Sequence, residues 1–475
     1  MSTILIRGGH VLTMDPGLGD LPDADVLVRD GRLVDVAPGL PAGGAHVVEA
    51  AGRIVVPGFV DGHRHLWQSL LHGFATDMGF PAYMRQVRGG YGGCFDAEDA
   101  YLANLLGGLE SLSAGITTVV DHSHLQTSAD ISTALLRGMW DSGVGGCFAY
   151  AFQNAPDWVA GSPTTPEALG DLLSRAPDPG HDEQYRRVRA TLADLDKAGS
   201  HRIRLGAALP ETAPYLPVDL VRPVLERVRA LEPALVTGHW NALVHEGRYV
   251  STLGQLVQEG SFEGTTVLSH CNQFDEADLD VLSRAGIGLV TTPGTEDGMG
   301  LGPLLARRLV ERGGAAGLGV DGTCYARADI LGEARALLTA ERRRAAVVSG
   351  GIPQELPPAR AALELATSTG ARAVGLQDEI GSLTPGKRAN VTVVRPDAVR
   401  VRPGTDPVAA LLFYTGPGEV ETVLVDGEIR KRAGRLVGVD TDDLVRRRAE
   451  SLAGIRGRFA ALPAEVIEGA WRGMF

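Results

Sequence analysis

Five side chains carry most of the chemistry this sequence could perform. His63 and His65 lie two apart in Asp61-Gly62-His63-Arg64-His65. On an extended segment, residues i and i+2 point to one side, so the two imidazoles face a common point. Two imidazoles are half of a transition-metal site. A third imidazole and a carboxylate would complete one that keeps an open position for water. His239, His270 and Asp321 each close a short apolar run: PALVTGH, TTVLSH and AGLGVD. A single histidine in such a place is most often a hydrogen-bonded polar residue. Four runs that all end in ligand-type residues are a pattern which that explanation does not cover.

The elements that must position these residues are legible in the middle of the chain. Eight apolar runs, RIVVPGFV, GITTVVD, GVGGCFAYA, RIRLGAAL, PALVTGH, TTVLSH, GIGLVTT and AGLGVD, read as strands. Between them lie segments such as AEDAYLANLLGGLESLSA and DLVRPVLERVRALE. Their apolar residues recur at three- and four-residue steps, as in amphipathic helices. Eight strand–helix units predict an α/β fold of the (β/α)8 barrel type, whose active sites form at the C-terminal ends of the strands. The candidate ligands all fall at such ends.

Both termini have a different texture. ILIRGGHVLTM, DVLVRDGRLVDVA and, near the other end, VETVLVDGEIRKRAGRLVG are short β-rich runs split by glycine turns. They predict one small composite β-sandwich domain from residues 1–56 and 382–440. The barrel then spans 57–381, and a helical tail covers 441–475. The insert NAPDWVAGSPTTPEALG and the polar stretch around HDEQYRR read as loop material over the barrel mouth.

Composition excludes several classes. Among 475 residues the formal net charge is −13, which argues against nucleic acid as a partner. The four cysteines form no CxxC pair, so neither a disulfide scaffold nor a thiolate zinc site is expected, and a reducing compartment fits. MSTILIRGGHVLTMD reads as a strand rather than a signal peptide, and no apolar run is long enough for a membrane span. These features together predict a soluble, cytoplasmic protein.

The motifs VVPGFVDGHRHLWQSLLHG, VTGHW, VLSHCN, LGVDG and GSLTPGKRANVTVV resemble those of the amidohydrolase superfamily. The resemblance covers nearly the whole chain. It points to the branch of cytosine deaminase-like and triazine hydrolase-like enzymes. It implies that His63, His65, His239 and Asp321 bind a metal. It further implies that Asp321 takes a proton from water, and that His270 polarises substrate and water. No lysine ends the fourth run, so the bridging carboxylated lysine of two-metal members is missing. One divalent ion is expected, zinc first and iron second, in a homo-oligomer of two or four chains.

One departure stands out. Deaminases of this branch carry His-x-x-Glu after the fifth strand, whereas His239-Trp240-Asn241-Ala242 puts alanine at the glutamate position. Glu296, and less so Glu246, are the carboxylates available to replace it. Of the histidines in VVDHSH, His124 is read as pocket-lining ahead of His122. Trp67 is a candidate wall for a planar ligand and Trp240 an ambiguous one. Cys271 and Cys324 are read as packed residues. The expected activity is hydrolysis of a carbon–nitrogen bond in a small cyclic nitrogen compound, as an aminohydrolase. A cyclic amide hydrolase, or a metal-dependent lyase or isomerase on the same scaffold, is the alternative.

Overall fold

The computed structural model describes residues 3–161, 165–240, 251–402 and 404–469. Eight parallel strands surround its centre: Phe59–Arg64, Ile116–Ser123, Gly145–Ala151, Ile203–Ala208, Val236–His239, Thr266–Ser269, Gly288–Thr291 and Ala316–Leu318. They pair in chain order, and a backbone bridge between Arg64 and Asp321 brings the last strand's exit back to the first strand. The first three strands are buried at every position, as a parallel sheet covered by helices requires. The helices between strands, among them Ala97–Ser113, Ala129–Ser142 and Val218–Arg229, bury an apolar stripe. Asp96, Ser128 and Asp275 cap helices by accepting backbone N–H bonds in the first turn.

Two sequence expectations change in detail. The first run is shared between two sheets. Ile54–Pro57 belongs to the terminal sheet and Phe59 begins the barrel, with only Gly58 between. A side chain at Gly58 would put a Cβ 2.2 Å from Thr117 Oγ1, so this crossing needs glycine. The polar stretch around HDEQYRR is not a loop but part of the helix Gly180–Leu195. His181, Tyr185 and Val188 are its buried residues. They lie at i, i+4 and i+7 on one face, a stripe too narrow to outweigh the charged composition when read from sequence.

The second sheet has nine strands drawn from both ends of the chain. Thr3–Leu12 pairs antiparallel with Asp20–Arg29, while His46–Glu49 and Ile54–Pro57 flank its two halves in parallel. Val391–Val394 then pairs antiparallel with Ile54–Pro57 and carries Val420–Val425, Glu428–Arg432 and Arg435–Leu436. Ile4, Ile6, Val26, Val55, Val391 and Leu424 form its separate core. The C-terminal helices Thr441–Ala460 and Ala464–Gly469 follow. Arg458 donates to the Cys94 carbonyl at 2.6 Å and pairs with Asp99, and Phe459 stacks on Tyr91 with centroids 3.8 Å apart. The tail thereby holds the segment that follows the first barrel strand. Among the described residues, no helix is long and apolar enough to cross a membrane.

Candidate active site

The structure brings His63, His65, His239 and Asp321 to one point. His63 Nε2 lies 3.1 Å from His239 Nε2 and 3.5 Å from Asp321 Oδ1, and His65 Nε2 lies 3.0 Å from the same Oδ1. The far ring nitrogens are tied down. His65 Nδ1 contacts the His122 carbonyl at 2.8 Å, and His63 Nδ1 contacts Ser269 Oγ at 2.8 Å. A carbonyl oxygen only accepts, so His65 Nδ1 must donate, and a neutral ring then has a bare lone pair at Nε2. That lone pair faces a carboxylate oxygen, an arrangement that needs positive charge between them. The donor set, three imidazoles and one carboxylate, therefore fits a divalent ion; the ligand atoms of His63, His65 and His239 lie within 4.8 Å of one another, as do those of His63, His270 and Asp321.

The electrostatics agree. Burial pushes His63 down to about 3, which keeps its ring neutral and able to donate a lone pair. Burial opposes ionisation of Asp321, but His63 and His65 hold its carboxyl well below the usual range. Behind them Asp61 is fully buried, and its Oδ1 accepts the Val320 N–H at 3.0 Å. Burial raises Asp61 to about 6 despite the adjacent Arg64 guanidinium.

His270 follows the sixth strand with φ +72°, and Asp321 follows the eighth with φ +65°. Both adopt the left-handed region, which costs a non-glycine residue roughly 1 kcal/mol and is concentrated at functional sites. Glu296 holds His270: its Oε1 is 3.1 Å from His270 Nδ1 and accepts the Thr292 N–H at 2.8 Å. Its Oε2 accepts from Asn272 Nδ2 at 3.0 Å and from the Thr291 hydroxyl. Burial lowers His270, but the Glu296 hydrogen bond and the Asp321 charge more than offset this and raise it. With both oxygens engaged and the side chain fully buried, Glu296 stands behind His270 rather than lining a substrate surface.

The strand-two histidines differ in their contacts. His124 stacks on His65 at 4.0 Å, accepts the Trp67 indole N–H at 3.3 Å and faces Glu211 Oε1 at 3.2 Å. Its Nδ1 is thus engaged, while its Nε2 faces that carboxylate without a well-formed hydrogen bond. His122 stacks on His239 at 4.2 Å, and neither of its ring nitrogens has a partner. Trp67 is fully buried between His124 and Phe95, so it packs the wall from behind. Trp240 packs on Phe262, Cys271 is buried, and Cys324 Sγ donates to Gln68 Oε1 at 3.0 Å. Ala242 and Glu246 lie outside the described residues.

Sequence reasoning missed Glu211. It sits three residues past the strand Ile203–Ala208, in Leu209-Pro210-Glu211. Arg88 Nε and Nη2 clamp its two oxygens at 3.2 and 3.0 Å, and Gln153 Nε2 adds a bond of 2.9 Å. Burial opposes its ionisation, but Arg88 and then His124 hold it well below the usual range. A carboxylate just past a barrel strand was the available signal.

The fold and this donor set define a barrel hydrolase of the metal-dependent class. Residues 54–430 match the model of the Amidohydrolase family, and the chain belongs to that family. It is a hydrolase of carbon–nitrogen bonds other than peptide bonds, with a divalent metal as cofactor. It is 28% identical over 471 residues to a 5-methylthioadenosine/S-adenosylhomocysteine deaminase of Desulforudis audaxviator, covering 95% of this chain and 98% of the relative. It is 25% identical over 470 residues to a 5'-deoxyadenosine deaminase of Methanosarcina mazei, covering 94% and 96%. The fold matches the zinc-bound crystal structure of an adenosine deaminase from Xanthomonas campestris. There the TM-score is 0.76 at 22% identity, over 96% of this chain and 99% of the other.

Proposed function

We propose that this protein is a zinc-dependent aminohydrolase that releases ammonia from an aminated heterocycle, with adenine-type nucleosides the first class to test. The convergence of His63, His65, His239 and Asp321 carries this reading. The deaminase relatives support the substrate class. His63, His65, His239 and Asp321 would hold the ion. When bound, the ion supplies a fixed positive charge that lowers the pKa of water towards ~7.

The chain's own residues do the rest. Asp321 accepts a proton from the attacking water at its carboxylate and returns it to the departing amine. The water oxygen bonds to the amino-bearing carbon, the C–N bond breaks, and ammonia leaves. His270 gives its Nδ1–H to Glu296, and in the protonated form that Glu296 and Asp321 favour it also donates from Nε2 to charge developing on the substrate. His122, with both ring nitrogens unpartnered, takes the substrate contact expected of His124. We place the enzyme in the cytoplasm as a homo-oligomer.

Metal content and ammonia release across aminopurine nucleosides, aminopyrimidines, aminotriazines and cyclic amides test this reading. About one ion per chain, with ammonia from an aminated ring, is the expected result. A metal-free protein, or ring opening of a cyclic amide without ammonia, overturns it.

A further inference from the structure

We propose that Glu211 is a positioning residue for metal ligand His239, acting through the carboxylate it presents to that ring. The proposal rests on the reading of His239 as a ligand.

The proton inventory around His239 leads there. Its Nε2 points to His63 Nε2 at 3.1 Å, the side on which the ion would sit. A neutral ring that donates the Nε2 lone pair must carry its proton on Nδ1. Nδ1 faces Glu211 Oε1 at 3.6 Å. The neighbouring ring obeys the same logic. The Trp67 indole can only donate, so His124 Nδ1 accepts and its Nε2 carries the proton, facing the same Oε1 at 3.2 Å. One carboxylate oxygen thus faces the proton-bearing nitrogen of both rings. A ligand imidazole whose other nitrogen meets a carboxylate is fixed in orientation and made more basic.

Glu211 is itself fixed from several elements. Gln153, past the third strand, donates to Oε2 and accepts the Glu211 N–H at 3.1 Å. Arg88, nearly buried, comes from the segment following the first strand and clamps both oxygens. The C-terminal helix holds that segment through Phe459 on Tyr91. Glu211 therefore links the capping segment to the ligand set.

The test is zinc affinity by chelator competition on the full chain, with thermal melting beside it. Glu211→Gln keeps the side-chain size but presents an amide where His239 needs a carboxylate. It should weaken zinc binding about 10–100-fold. Arg88→Met breaks the same buried ion pair but leaves the Glu211 carboxylate facing His239. It should lower the melting temperature while zinc affinity stays within about threefold of wild type, since the ligand's own partner is kept. Equal zinc affinity in wild type and Glu211→Gln overturns the proposal alone. Equal weakening in both variants also overturns it, because the effect would then be general loosening. A wild type that binds no ion overturns this proposal together with the ligand assignment beneath it.

Discussion

The backbones of Arg64 and Asp321 form a parallel bridge across the seam of the barrel. Asp321 N donates to the His63 carbonyl at 2.9 Å, and His65 N donates to the Asp321 carbonyl at 3.2 Å. The bonds that close the barrel are thus the ones that set Asp321 against the two first-strand histidines.

Asp321→Asn keeps this backbone lacing and the side-chain volume while removing the charge. Metal occupancy should fall below that of wild type in elemental analysis. Ammonia release should drop about 10²–10⁴-fold, the usual worth of a positioned proton acceptor. Wild-type turnover in this variant would remove Asp321 from the mechanism.

Glu296→Gln should separate support from binding. The carboxylate that holds His270 Nδ1 loses its charge, so kcat should fall about 10–100-fold. The ion's ligands are untouched, so metal content should match wild type. Steady-state kinetics beside elemental analysis reads both. A loss of metal with unchanged kcat per bound ion would contradict this place for Glu296.

Gly319→Ala should damage the site through the backbone. A Cβ there would lie 2.7 Å from the His63 carbonyl oxygen and 3.0 Å from its nitrogen, closer than real contacts allow. Overpacking of this kind costs about 1–3 kcal/mol. Denaturant titration should show that loss, with weaker zinc binding as the first strand is displaced. A variant with both properties intact would show that the seam yields.

His181 gives the fold an acid-side weakness. Its ring is buried on the helix Gly180–Leu195, with Nδ1 2.7 Å from the Tyr150 hydroxyl, and burial pushes it down to about 4. An unfolded histidine titrates near ~6.5, so below that pH the unfolded chain binds the extra proton and stability falls. The loss accumulates as pH drops from about 6.5 to about 4 and totals roughly 3 kcal/mol at most. His181→Asn should flatten the pH dependence of the melting temperature in that window. An unchanged slope would assign the acid sensitivity to other groups.

Strand ends were legible in the chain because a parallel barrel strand must be apolar on both faces. A polar residue therefore marks where the strand leaves the core, and seven of the eight runs coincide with barrel strands on that ground. The first run misled only at its start. A chain passing directly from one sheet into another shows no break in hydrophobicity at Val56, Pro57 and Phe59. The helix around HDEQYRR was hidden for the opposite reason, since three buried residues are few among many charges.

By itself the sequence determined which residue types end which strands. Strand period and chain order follow from local chemistry, so His63, His65, His239, His270 and Asp321 were readable as one set. Only the tertiary structure decided which of them work through others. Arg88, His124, Gln153 and Glu211 lie far apart along the chain, and no local pattern couples them. Their meeting depends on how adjacent barrel strands bring their loops together. That His124 meets Trp67 and Glu211, and Glu296 meets His270, is visible only once the loops are in place.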